Sequence, residues 1–385
     1  MAPATELLDE LIEEIFLRIH PADPTTLAHA ALVCRRWCRL IADPGFRRRL
    51  REFHRVPPML GFSCNFDHTT SYYGLPDTDA RFLHTSSCLA RADMEHSRVL
   101  DTRHGRVLLN RVTEANHHNP CLFVWDPITK EEHKLPWMSL PGYPGSWNAA
   151  VLCTAAGCNH LDCHGKPFTV VFVATRDRMI FDLVYSSKVG RWTQEKAINL
   201  FAQQLEDSLM LEPSAFVGNA LYFALQSKTK VLKYTVRTRE MHMIHLPPAC
   251  FSERRILLMP TEDNRLGFAT VCDSKLCLWS RNDDSATNVG WTQWRVIDLE
   301  ALLPTRALLN PVDVVGFADG VGIFFIKMLY CGHFRIDTKS NWVKKLRSVC
   351  GGSTIFPYMS FHTPVTNQPH MPCLSSLIRR SCAYL

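Results

Sequence analysis

Between Leu7 and Ile19 apolar side chains return every fourth residue, at Leu7, Leu11, Ile15 and Ile19, with Leu8, Ile12 and Phe16 beside them. That spacing predicts a helix with a wide apolar stripe, and Asp9, Glu10, Glu13 and Glu14 form its acidic opposite face. Pro21 and Pro24 end it, because proline has no amide hydrogen and its ring clashes with the preceding turn. Thr25 or Thr26 can cap a second helix through Leu27, Ala28, Ala31 and Leu32, and a third follows around Trp37, Leu40 and Ile41. Asp43-Pro44-Gly45 is expected to break the chain before Phe46. Three helices of this size hold more large apolar residues than their own core can cover. The surplus implies a partner surface.

After Pro57-Pro58 the pattern changes to short runs rich in Val, Phe, Tyr and Trp, bounded by turn residues, which predicts strands. Examples are Arg106 to Asn110, Cys121 to Trp125, Phe168 to Thr175, Ala220 to Leu225, Leu276 to Trp279, Gly322 to Ile326 and Gly332 to Ile336. A unit recurs within the region: an aromatic-bearing strand, a polar turn, then a second short strand. It begins at Leu122, Leu183, Val231, Leu276 and Gly332, between 45 and 61 residues apart, near the period of about 50 known for propeller repeats. Glycine turns at Gly105, Gly218 and Gly320 open three of the units, as a blade made of hairpins requires. Five units are legible, and a sixth can be assembled from Leu60 to Leu100 with a closing segment near Ser360. The expected class is α+β multidomain: a three-helix unit over residues 1–56, an all-β propeller-like repeat domain over 57–363, and a mobile tail over 364–385.

Composition narrows the function. The chain is 46% hydrophobic and 21% charged, with a net charge of +6, too mildly basic for a dedicated nucleic-acid binder. The run Arg47, Arg48, Arg49, Arg51 and Arg55 reads as a solvated helix face, without the interleaved aromatics that stack on bases. Acidic residues in the first twenty positions argue against a secretory signal. The most apolar run, Val321 to Ile326, is far short of the about 20 residues that span a bilayer, so no membrane association is expected. Fifteen scattered cysteines fit reduced thiols in the cytoplasm or nucleus. No phosphate-cradling loop, metalloprotease helix or nucleophile elbow is present, so no catalytic residue and no cofactor is expected. Cys153, Cys158, His160, Cys163 and His164 have zinc-ligand chemistry, but they lack a C-x2-C pair, and Gly157 and Gly165 suggest plain loops. No metal is the expectation. His117-His118 reads as a solvated loop, and Cys272 and Cys277 as strand residues.

The stretch Leu7-Leu8-Asp9-Glu10-Leu11-Ile12-Glu13-Glu14-Ile15, then Ile19, Pro24, Leu27, Ala31-Leu32-Val33-Cys34-Arg35-Arg36-Trp37, Leu40-Ile41-Ala42-Asp43-Pro44 and Phe46, resembles the F-box motif in order and spacing. Leu8 stands where that family usually has proline, a departure expected to weaken docking modestly. The resemblance implies packing on the Skp-type adaptor of a cullin–RING ubiquitin ligase. By position, Leu7, Leu8, Leu11, Ile15, Pro24, Leu27, Leu32, Val33 and Trp37 would supply the docking surface and its supporting core, with Leu7, Leu8 and Pro24 expected as contacts. The region beyond resembles the kelch-like, F-box-associated β-propellers that follow F-boxes in large plant families, which implies capture of a target protein. The function expected is therefore substrate recognition within a Skp–cullin–F-box ligase, without chemistry by this chain. The alternatives are a scaffold outside the ligase, or a propeller that binds a ligand or acts as an enzyme.

Overall fold

A computed structural model describes residues 7–67, 78–85, 91–111, 119–140, 142, 144–176, 179–193, 196–199, 207–248, 255–282, 290–303, 311–346 and 352–363. The tail 364–385 and His117-His118 lie outside the described residues. The chain divides into two compact units, Met1–Arg55 with Phe361–Leu385, and Val56–Ser360. Among the described residues no helix is long and apolar enough to cross a membrane.

Among the described residues the first unit contains four helices where the pattern predicts three: α1 (Asp9–Leu17), α2 (Pro24–Val33), α3 (Arg35–Ala42) and α4 (Pro44–His54). Asp43-Pro44-Gly45 does break α3, but it also starts α4. The Asp43 carboxylate accepts the Phe46 amide at 2.7 Å, and Pro44 fills the first helical position, where no amide hydrogen is needed. Arg47, Arg48, Arg49 and Arg51 therefore lie on a helix, as expected, and Arg55 follows it. Ile12, Phe16, Leu17, Leu27, Ala31, Ile41, Phe46 and Leu50 form the core. Phe16 meets Trp37 and Phe46 edge-on, with ring centroids 5.3 and 6.3 Å apart. The His54 ring bonds the Leu17 carbonyl at 2.8 Å and ties the end of α4 to the end of α1.

The second unit is a six-bladed propeller. In chain order its strands are β1 (Met59–Asp67), β2 (Thr78–His84), β3 (Ala92–Met94), β4 (Ser97–Arg103), β5 (Arg106–Arg111), β6 (Leu122–Trp125), β7 (Glu132–Lys134), β8 (Ser146–Cys153), β9 (Phe168–Arg176), β10 (Met179–Ser186), β11 (Arg191–Trp192), β12 (Lys196–Asn199) and β13 (Ala215–Val217). There follow β14 (Ala220–Ala224), β15 (Lys230–Thr235), β16 (Glu240–His245), β17 (Leu257–Pro260), β18 (Leu266–Cys272), β19 (Lys275–Asn282), β20 (Gly290–Asp298), β21 (Val312–Ala318), β22 (Ile323–Met328), β23 (Gly332–Asp337), β24 (Trp342–Leu346) and β25 (Gly352–Met359).

Every pairing between neighbouring strands of a blade is antiparallel. Blades two, four, five and six are β4–β7, β13–β16, β17–β20 and β21–β24. In blade three the outer edge of β10 is covered by β12 and β11 in turn. Blade one joins the two ends of the unit: β25 pairs with β1, followed by β2 and β3. Leu100, which the sequence placed in this sixth unit, belongs instead to β4 of the next blade. Six apolar clusters fill the gaps between adjacent blades, including the gaps on both sides of blade one.

The recurring turn has a local cause. In blades two, three, four and six, the third and fourth strands are joined by a short turn with a residue of positive φ at or next to its end: Lys130 at 62°, Gly190 at 73°, Arg239 at 57° and Asn341 at 54°. The amides of Lys130, Gly190 and Arg239 return to the carbonyls of Asp126, Ser186 and Thr235 at 2.7–2.8 Å. In two copies an aspartate secures the start, with Asp126 and Asp337 each accepting two following amides on Oδ1.

One such turn also locks two blades together. Arg239 reaches back to Asp182 on β10 with bonds of 2.7 and 2.8 Å, and the Tyr234 hydroxyl donates to the same carboxylate at 2.6 Å. Asp182 is fully buried. Burial and the adjacent carboxylate push the Tyr234 phenol above its ordinary value, so it stays a donor. Asp182 is the buried acceptor that Tyr234 and Arg239 share, so its loss removes both bonds at once. Asp182→Ala is expected to lower the stability of the propeller transition by about 3–5 kcal/mol in chemical denaturation. Tyr234→Phe, which removes one hydroxyl, should cost only about 1 kcal/mol. Equal small losses in both variants would contradict this ranking.

Candidate functional site

The helical unit divides its apolar residues sharply. Ile12 and Phe16 of α1 face inward, while Leu7, Leu8, Leu11 and Ile15 remain 53%, 65%, 49% and 54% exposed. At the end of α2, Leu32 and Val33 are also exposed. Arg36 holds the start of α1, donating to the Leu7 carbonyl and the Asp9 carboxylate at 2.6 Å each. Glu13 pairs with Arg49 and Glu14 with Arg18, so two more acidic side chains of α1 are engaged by arginine. Thr25 and Thr26 donate to Asp23 just before α2, which holds that carboxylate below its ordinary range.

Three of the nine residues assigned to the docking surface and its supporting core are wholly or partly covered within the unit. Leu27 is core. Trp37 is half-buried against Phe16. Pro24, expected as a contact, is buried at the first position of α2. Its ring costs the helix no hydrogen bond there, so a burial site was open to it.

In the propeller, antiparallel alternation sends the connections to two opposite ends of the blades. At one end lie the tight turns, such as His104-Gly105 and Gly218-Asn219. At the other lie most of the long connections: between β1 and β2, β5 and β6, β7 and β8, β12 and β13, β16 and β17, and β20 and β21. That second end also carries Trp137, 58% exposed, and Tyr330, 90% exposed at a φ of 64°. Nothing in their sequence neighbourhoods marks these two residues, and neither was anticipated. Between the ends the first strands are tied by polar groups. Arg255 pairs with Glu212 and donates to Thr354 at 2.6 Å, and Arg103 bonds Asp101 and the Ser214 carbonyl at 2.9 and 2.8 Å. Burial holds the Asp101 carboxyl above its ordinary value, against the opposing pull of Arg103.

The end with the His104-Gly105 turn also carries a longer connection. The β8–β9 connection, residues 154–167, is longer than its counterparts in blades two and four, and it brings together most of the cysteine and histidine group that the spacing argued against as a metal site. Potential ligand atoms of Cys153, Cys158, His160 and Cys163 all lie within 4.8 Å of one another. The missing C-x2-C spacing is irrelevant, because Cys153 at the end of β8 meets the others across the loop. His164 is not part of the group: its ring is bonded to Asp126 at 2.5 Å and Ser360 at 3.0 Å. Cys272 and Cys277 lie in β18 and β19, as expected.

A family model described as F-box-like matches residues 9–52. No curated protein matches the chain. Among solved structures, a protein from Lactobacillus plantarum is 10% identical, covering 77% of this chain and 99% of its own, at a TM-score of 0.38. Apo AztD from Citrobacter koseri is likewise 10% identical, covering 77% of this chain and 98% of its own, at a TM-score of 0.37. Scores this low carry no argument about fold or chemistry. The arrangement rests on the family match and on the strand order: a short helical F-box-like region followed by an all-β, six-bladed propeller.

Proposed function

We propose that this chain is the substrate-recognition subunit of a Skp–cullin–F-box ubiquitin ligase. The observation that carries the reading is the set of six exposed apolar side chains, Leu7, Leu8, Leu11, Ile15, Leu32 and Val33, within or beside the F-box-like segment. Isolated exposed leucines are ordinary, but this many on a unit of this size is a surface that needs a cover. The cover we infer is a Skp-type adaptor, and through it a cullin. The propeller, of the kelch-like kind found behind plant F-boxes, would then hold a target protein by the end that carries the long connections, Trp137 and Tyr330. Catalysis by the chain is not required: proximity raises the effective concentration of target near the ubiquitin carrier. Such a machine would work in the cytoplasm or nucleus.

Because Leu11 and Ile15 point outward, changing them separates docking from folding. Leu11→Asp with Ile15→Asp is expected to weaken binding to a purified Skp-type adaptor at least about 30-fold, equivalent to about 2 kcal/mol. Helix content and denaturation midpoint should stay close to the parent chain. Trp37→Ala, by contrast, should lose stability and docking together, since the ring supports Phe16. Parental affinity in the double aspartate variant would end the adaptor reading.

The target end has its own test. Partners that still co-purify with the double aspartate variant are not ligase machinery. They should be lost from a chain carrying Tyr330→Ala and Trp137→Ala, which should still bind the adaptor. An unchanged partner set would place recognition elsewhere on the propeller.

A further inference from the structure

Where blades two and four join their first two strands by two-residue turns, blade three inserts residues 154–167. Loops of more than about 12–15 residues without regular structure are uncommon in compact domains unless something organises them. This one contains Cys158, His160 and Cys163, and it springs from Cys153. Their arrangement is specific. Cys158 Sγ and Cys163 Sγ are 3.7 Å apart, and Cys163 Sγ lies 3.6 Å from His160 Nδ1. Zinc bonds of about 2.3 Å to sulfur and about 2.0–2.1 Å to nitrogen, at tetrahedral angles, require separations of about 3.8 Å between sulfurs and about 3.6 Å between sulfur and nitrogen. A cystine would use two of the sulfurs and leave the third thiol and the imidazole beside it without a purpose.

The surroundings are those of a metal site's outer layer. The His104 ring stacks on His160 at 4.1 Å with 14° between planes, and its own Nδ1 accepts the Cys153 amide at 3.0 Å. The neighbouring side chain therefore fixes both a ligand's backbone and another ligand's ring plane, as partners beyond the ligands do in metal sites. Arg106 donates to the carbonyls of Cys163 and Lys166 at 2.5 Å each, pinning the end of the loop to blade two. His160 itself is held at a φ of 60°, a left-handed conformation that costs a residue with a side chain and persists where the surroundings demand it.

We propose that Cys153, Cys158, His160 and Cys163 bind one zinc ion and staple the β8–β9 loop to the end of the propeller. Three thiolates and one imidazole favour zinc over harder cations, and four protein ligands leave no open position, so the site is structural and not catalytic. Binding releases the three thiol protons to solvent. The loaded site carries one net negative charge, offset by the Lys166 ammonium 3.4 Å from Cys158 Sγ.

The test uses the full chain, purified under reducing conditions without chelator and supplied with zinc chloride. Elemental analysis is expected to find one zinc per chain, with X-ray absorption giving three sulfurs at about 2.3 Å and one nitrogen at about 2.0–2.1 Å. Cobalt(II) in place of zinc should show the visible bands of a tetrahedral thiolate site, a reading that needs no variant. Cys158→Ser with His160→Ala, both changes outside the strands, should abolish stoichiometric zinc, whereas Cys272→Ser should leave it intact. Absence of bound zinc in the parent chain, full zinc in the double variant, or a Cys158–Cys163 disulfide in freshly isolated protein would each overturn the proposal.

Discussion

Six sheets can bury both of their faces only if the last one packs against the first, and here that closure is made by hydrogen bonds between β25 and β1. The pairing runs from Met59 opposite Met359 to Phe66 opposite Gly352, with bulges near each end. It places the final strand innermost in the first blade, so the two flanking apolar clusters each draw on β25: Ile355 on one side, Phe356 and Tyr358 on the other. Without that strand both clusters would lose one wall to water. Every other blade is local in sequence. This one joins residues about three hundred positions apart and carries the entropic cost of that closure.

The helical unit faces the opposite problem. It is too small to enclose its own apolar residues, and its core of eight side chains uses only one edge of the α1 stripe. The other edge stays in solvent, while arginines at the end of α1 and on α3 and α4 engage the acidic positions between. The salt bridges are exposed and individually weak. What they accomplish is orientation: Arg36 grips the backbone at Leu7, so the N-terminal end of the apolar edge is held in a defined place. A preordered surface loses less freedom when it is covered.

Much of this was legible in the residues, and the boundary of legibility is physical. The repeats could be read because each depends on contacts a few residues apart, as in Asp126 and Asp337 securing their own turns, or Gly190 supplying a positive φ. Blade one was only half visible, since its innermost strand comes from the far end of the unit and no local pattern announces that. The fourth helix was missed because Asp-Pro-Gly signals both a stop and a start, and only the bond from the Phe46 amide to Asp43 decides between them. Pro24 was read as a contact from family position alone, and burial is a property of the packed chain. The thiol cluster was discounted for its spacing, yet Cys153 reaches the others through the strand end and not along the sequence.

The β25–β1 pairing also sets a timetable for synthesis. The four helices α1–α4 all precede Arg55, whereas the propeller cannot close until Gly352–Met359 has left the ribosome. Domains fold as units from the N-terminus onward during translation. A nascent chain therefore carries its helical segment for most of its synthesis while its sixth blade still lacks a neighbour, and any message truncated before residue 352 would yield a chain with that segment present and its ring of blades permanently open.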